Sequence, residues 1–287
     1  MSDKPGMVWD ITMGRELPVA GWQTELRQAS SQWLGPRAWG WGLWLPVGFH
    51  MIEDLGKDRS NPILNVDYRF GLAAKLQVGL PRPGGEDSGA VFGAQLYAGH
   101  ESTHIGDEFT LNGIEAYGED FRRVNVSYQC IEGALQLGLD FETWRARFQA
   151  RYMQIAFTGS DSWYSRELEH PAGGAVTPSR RNYEPGLAVE LGLERPLLWS
   201  LLRRPFLSVD LRARTVYGYD RADVTVNEEW QWSVNALAGV RPDPGNFGGF
   251  THFYLRGYYG VNPAGQFRSQ RDYWLAGFGF AFFHEDK

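Results

Sequence analysis

The chain carries a single cysteine, Cys130, in 287 residues, so no disulfide can form within it. Long apolar runs are also missing. The longest, such as Leu197 to Leu202 and Phe278 to Phe283, fall far short of the roughly 20 residues that a membrane-spanning helix needs, which excludes a helical membrane protein. Positive charge is in deficit, with 28 Lys and Arg against 34 Asp and Glu and a formal charge of −6. The basic residues cluster only as pairs, Arg122 with Arg123, Arg180 with Arg181 and Arg203 with Arg204. Without a basic stripe there is no footprint for nucleic acid. A secretory leader is lacking as well: Met1 to Gly6 opens directly into Val8-Trp9-Asp10, with no charged n-region, apolar h-region or cleavage site. Either a leader has been removed or the protein is not exported.

What is present in quantity is aromatic, with 12 Trp, 13 Tyr and 17 Phe beside 35 Gly. Much apolar surface without an apolar run is what strict alternation produces, and alternation is found along the whole chain. From Leu64 to Leu80 the residues Leu64, Val66, Tyr68, Phe70, Leu72, Ala74, Leu76, Val78 and Leu80 alternate with Asn65, Asp67, Arg69, Lys75 and Gln77 among others. Trp39 to Met51, Trp144 to Tyr152, Leu187 to Leu193, Leu207 to Arg214 and Trp230 to Arg241 repeat the pattern, with Arg, Asp and Glu gathered on one parity. A strand of a soluble sandwich averages about 5 to 6 residues, whereas a tilted strand crossing a bilayer needs about 9 to 11. Strand length and the tryptophans near strand ends, Trp39, Trp41, Trp144, Trp230, Trp232 and Trp274, favour a transmembrane barrel with a polar inside and an aromatic girdle.

The expected fold is therefore all-β: one antiparallel transmembrane β-barrel forming a single domain over residues 1–287. The pattern gives about twelve strands, at residues 7–14, 20–33, 38–53, 63–80, 88–103, 122–139, 143–158, 183–196, 205–219, 228–242, 249–262 and 272–284. An even count places both termini on one side. Asp54 to Pro62, Thr103 to Phe121 and Gly159 to Asn182 read as long outer loops, and Leu34 to Arg37, Asp140 to Glu142 and Pro242 to Phe247 as short periplasmic turns. The predicted location is the bacterial outer membrane. Inward Arg145, Arg147, Arg151, Arg212, Arg214 and Arg256 with Asp67, Asp210, Glu190 and Glu194 are expected to fill a narrow lumen with ion pairs.

Chemistry concentrates between Ser88 and Gln129. The apolar parity of Phe92, Ala94, Leu96 and Ala98 continues into His100, Ser102 and His104, so histidine and serine emerge on the lipid-facing side of the rim. On the returning strand Ile131, Gly133, Leu135, Leu137 and Leu139 point outward, and the same parity carries Gln129, Ser127 and Asn125 outward too. Val124, Val126 and Tyr128 conflict with that, and a bulge near Cys130 would reverse it. Neighbours on one strand face lie roughly 6.5 Å apart and adjacent strands about 4.8 Å apart. Ser102 as nucleophile, His100 as base and Asn125 as the group orienting the base fit that spacing, and the bland alternative is that they satisfy loop backbone groups at the rim.

His100-Glu101-Ser102-Thr103-His104 also spells H-E-x-x-H, the zinc pair of a helix. On a strand those histidines stand about 13 Å apart, too far to share one zinc. Asp107 and Glu108 offer hard oxygen atoms to calcium or, alternatively, stabilise their own loop.

Asn65-Val66-Asp67-Tyr68-Arg69-Phe70-Gly71-Leu72, the string from His100 to Glu108 and Arg123-Val124-Asn125-Val126-Ser127 resemble an uncharacterised bacterial domain-of-unknown-function family, outer-membrane-barrel-like and without an established activity. The same segment is similar to outer-membrane phospholipase A. That resemblance implies a twelve-stranded, calcium-dependent phospholipid hydrolase with His100 as base, Ser102 as nucleophile and Asn125 as orienting residue. Thr103-His104 replaces the Asn-Gly that follows the serine in that enzyme, and the loop that comes next is longer here. The expected function is a lipid-acting serine hydrolase; the alternative is a non-catalytic barrel, either a narrow pore or a surface scaffold. Its expected partners are membrane lipid, a second copy of the chain in a homodimer, or another outer-membrane protein.

Overall fold

The structure is a computed structural model that describes residues 7–23, 38–55, 63–81, 89–104, 126–141, 143–157, 181–193, 204–219, 226–241, 250–261, 263 and 272–282. These residues form one all-β sheet of eleven antiparallel strands in strict sequence order. They are β1 (Val8–Gln23), β2 (Ala38–Asp54), β3 (Ile63–Pro81), β4 (Gly89–His104), β5 (Val126–Asp140), β6 (Trp144–Phe157), β7 (Arg181–Leu193), β8 (Pro205–Tyr219), β9 (Val226–Val240), β10 (Phe250–Gly260) and β11 (Tyr273–Phe282). Most are far longer than the strands of an ordinary globular sheet.

The count differs from the expected twelve at the N-terminus. Residues 7–14 and the start of 20–33 belong to one strand, β1, whose register against β2 shifts between Pro18 and Ala20. Pro18 fits within the strand because a proline is tolerated where the ladder skips a residue and on the strand that ends a sheet. With eleven strands, β1 begins at the end of the sheet that leads into segments 55–62, 105–125 and 158–180, and β11 finishes at the opposite end. The long connections do share one end, as the alternation predicts. The other end carries the tight β5–β6 turn, closed by Phe141 N–H donating to Trp144 O at 2.8 Å, but also the longer segment 24–37.

The two-residue period divides the sheet into two unlike faces. One is apolar and exposed, with Leu72, Leu96, Ile131, Leu135, Leu187, Leu207, Leu255 and Phe278 all open, the last 85% accessible. Aromatic side chains gather toward its two margins: Trp22, Trp39, Trp41 and Trp144 near the β5–β6 turn end, and Trp9, Tyr68, Tyr152, Trp230, Trp232, Tyr259 and Trp274 near the other. Trp22 and Trp39 meet edge to face at 4.6 Å.

The other face is polar and concave, because its side chains reach partners on strands that are not neighbours. Arg69 on β3 pairs with Glu132 on β5 at 3.4 Å, Arg151 on β6 with Asp210 on β8 at 2.6 Å, and Arg241, just past the end of β9, with Glu190 on β7 at 2.6 Å. Lys75 on β3 pairs with Glu16 on β1. Arg256 Nη1 on the penultimate strand donates to Asp10 Oδ2 on the first at 2.7 Å, so the sheet curls far enough for its two ends to touch through side chains.

Asp10 also meets His50 Nε2 at 2.7 Å, and His50 Nδ1 lies 3.4 Å from Asp67, which accepts from Asn65 at 2.8 Å. The expected inward ion pairs are thus present for Arg145, Arg147, Arg151, Arg212, Arg214, Arg256, Asp67, Asp210 and Glu190, with Asp140 as the partner of Arg147. Glu194 lies outside the described residues. Removing one member of a shielded charge pair strands the other. Arg256→Met is expected to lower unfolding free energy by about 1–3 kcal/mol. It should be read as a shift of the urea midpoint at constant slope, smaller when Asp10 has already been changed to Leu.

Candidate active site

The site grows from the β3–β4–β5 ladder. Register between β4 and β5 runs without a shift from Gly89 opposite Asp140 to Thr103 opposite Val126. The bulge considered near Cys130 is not there. Outward parity therefore passes unbroken from Leu137, Leu135 and Ile131 to Gln129 and Ser127. Tyr128 turns inward, where it is 1% accessible and its hydroxyl donates to Glu101. An apolar residue on the polar face looked like a parity conflict in sequence; its hydroxyl and its carboxylate partner resolve it.

On the outward face two cross-strand rows follow. Tyr68, Ser102 and Ser127 stand directly opposite one another, and Phe70, His100 and Gln129 form the next row. The imidazole of His100 is held between β3 and β5. Its ring centroid lies 5.2 Å from that of Phe70 at 45°, and its Nε2 lies 3.4 Å from Ser127 Oγ. With the proton on Nδ1, Nε2 accepts from the serine hydroxyl, as a general base must.

Beneath His100, on the polar face, the ladder is braced by an aromatic ring laid over two glycines. Gly71 and Gly99 are directly opposite, and Tyr97, 2% accessible, crosses them to donate its hydroxyl to Phe70 O at 3.1 Å. A Cβ on Gly99 would come within 1.9 Å of Tyr97 Oη, so neither glycine can be replaced without moving the ring. Arg69 covers the same ring from 4.3 Å and joins it to Glu132. This packing fixes the backbone from which Phe70 and His100 project.

The structure brings His100 together with Ser127. Ser102 lies on the same face, two residues along β4 from His100 and opposite Ser127. Asn125, Asp107 and Glu108 lie outside the described residues. His100 and His104 occupy one extended strand, so the zinc geometry of H-E-x-x-H does not arise. No group of three or more metal-binding side chains occurs among the described residues. The outward neighbours of His100 are Phe70, Gln129, Ser102 and Ser127, and none offers a carboxylate. This part of the site does not fit a calcium ligand set. Sequence reasoning placed Ser127 and Gln129 on the right face, but it missed that Ser127 meets His100. Segment 105–125 is too long for a turn type to set the register that decides it.

No known family, curated protein or solved structure matches the chain. Gly99→Ala should displace Tyr97 and cost about 1–3 kcal/mol through overpacking. The measurement is the chemical unfolding midpoint beside Gly133→Ala, which meets nothing within 4 Å and should be near neutral.

Proposed function

We propose that the curled sheet closes into a barrel spanning a bacterial outer membrane, and that its lipid-facing rim hydrolyses lipid esters, with His100 as general base. The observation that carries this reading is a histidine–serine pair, with Ser102 and Gln129 beside it, on a largely apolar outward face. Polar residues on such a face lose water without gaining lumen partners, which chemistry can repay and packing alone cannot.

Dimensions support the membrane part. The eight-residue interval from Trp144 to Tyr152 along β6 covers about 27 Å of strand at roughly 3.4 Å per residue. At the roughly 40° tilt of membrane barrels that interval rises about 20 Å, close to the roughly 25 Å apolar band between aromatic girdles.

A groove supports the substrate class. Below the His100 row, the outward face alternates small and large residues, with Ala74, Ala94 and Gly133 set among Leu76, Leu96 and Leu135, leaving a groove of about 460 Å³. From His100 to Ala94 is roughly 20 Å along β4, or about 15 Å of depth after tilt, half of the ~30 Å hydrocarbon core. An acyl chain in that groove would place its ester at the histidine. Asp107 and Glu108, three and four residues past the end of β4 in sequence, are the residues through which calcium would act. The shared and numerous ion pairs of the inner face favour a second reading, a non-catalytic barrel with a filled interior whose long connections bind a second copy or another outer-membrane protein.

His100→Ala is expected to lower hydrolysis of phospholipid by refolded protein about 10²- to 10⁴-fold. Equal turnover in mutant and wild type would remove the catalytic reading, and a chelator effect abolished by Asp107→Ala would bring calcium into it. Leu96→Arg, at mid-height on the outward face, should cost about 2–4 kcal/mol when folding is measured in bilayers. An unchanged folding energy there would contradict the membrane orientation.

A further inference from the structure

We infer that the nucleophile His100 activates is Ser127 on the neighbouring strand, not Ser102 on its own strand; this rests on the hydrolase reading above. Both serines share the outward face and stand opposite each other, so parity alone leaves them equivalent. The orientation of the imidazole separates them. Phe70 occupies the β3 side of His100, with ring centroids 5.2 Å apart, and the ring nitrogen Nε2 is directed across to β5, 3.4 Å from Ser127 Oγ. That separation is long for an O–H···N hydrogen bond, as base–nucleophile contacts commonly are before substrate binds.

Ser127 and His100 are diagonal neighbours across the ladder, a relation fixed by backbone hydrogen bonds on both sides of β4. Gln129, directly opposite His100, completes the row on the β5 side.

The step is an ordinary acyl transfer. Ser127 Oγ forms a bond to the ester carbonyl carbon while its proton passes to His100 Nε2. Collapse of the tetrahedral adduct breaks the bond to the alcohol oxygen, which takes that proton and leaves as the lysolipid or free alcohol. Water, deprotonated by the same nitrogen, then attacks the acyl-Ser127 ester and releases the fatty acid, restoring the hydroxyl.

The test is labelling of detergent-refolded full-length protein with an alkyl fluorophosphonate, which phosphonylates activated serines, followed by peptide mass spectrometry and phospholipid turnover. The expected result is a label on Ser127, lost together with about 10³-fold or more of the turnover in Ser127→Ala. Ser102→Ala should keep the label and stay within about tenfold of wild type. Heat-modifiable migration reports whether each variant is folded. Ser127→Cys supplies an independent readout, since its alkylation by a maleimide should slow at least tenfold when His100 is also changed to Ala. A label on Ser102, lost only in Ser102→Ala, overturns this assignment and leaves the hydrolase reading standing. Absence of both label and turnover in folded wild-type protein overturns both.

Discussion

The constraint on which everything else rests is the backbone ladder, which runs without a register shift across β3, β4 and β5. Each strand hydrogen-bonds to its sequence neighbours, so the two-residue alternation of one strand is locked to that of the next. A slip of one residue anywhere would turn a whole strand inside out. Because no slip occurs between Gly89 and Thr103, the face that carries Leu96 also carries His100, and the face that carries Leu135 also carries Ser127. The position of the candidate site is a consequence of register, and its chemistry begins there.

The polar face reinforces that register. Ion pairs between strands two apart, such as Arg151 with Asp210 and Arg241 with Glu190, can form only if both ladders between them are aligned and the sheet is bent toward them. Such pairs contribute little net stability once desolvation is counted. Their value is that misaligned alternatives would leave a guanidinium or a carboxylate alone. Asp10, held by both His50 and Arg256, extends this from the third strand through the first to the tenth.

At the rim the same sheet presents opposite demands on its two sides. Inward, Tyr97 over Gly71 and Gly99 and Tyr128 against Glu101 make a dense support. Outward, Phe70 and Ser127 define where the imidazole points. A site on strands braced from behind is more rigid than one on a loop, and under the proposed membrane reading a low-dielectric exterior would strengthen every interaction made with a developing oxyanion. An ester approaching from lipid would find the base already directed at a hydroxyl.

Much of this was legible in the sequence, because alternation is local: the apolar and charged parities of β3, β6 and β9 can be read from Leu64 to Leu80, Trp144 to Tyr152 and Trp230 to Val240 without knowing any partner strand. For the same reason Ser102 and His100 were visible as continuations of the Phe92 to Ala98 face. What required tertiary structure is whatever depends on pairing. Residues 7–14 and 20–33 read as two strands until the ladder is seen to run on through Pro18 with one residue skipped beside it. Tyr128 reads as a parity error until Glu101 is found across the strand. Which serine the histidine meets depends on register across the connection 105–125. Residues close in sequence reveal their shared face through backbone geometry alone, whereas residues on different strands are brought together only by long-range hydrogen bonds that a single strand does not encode.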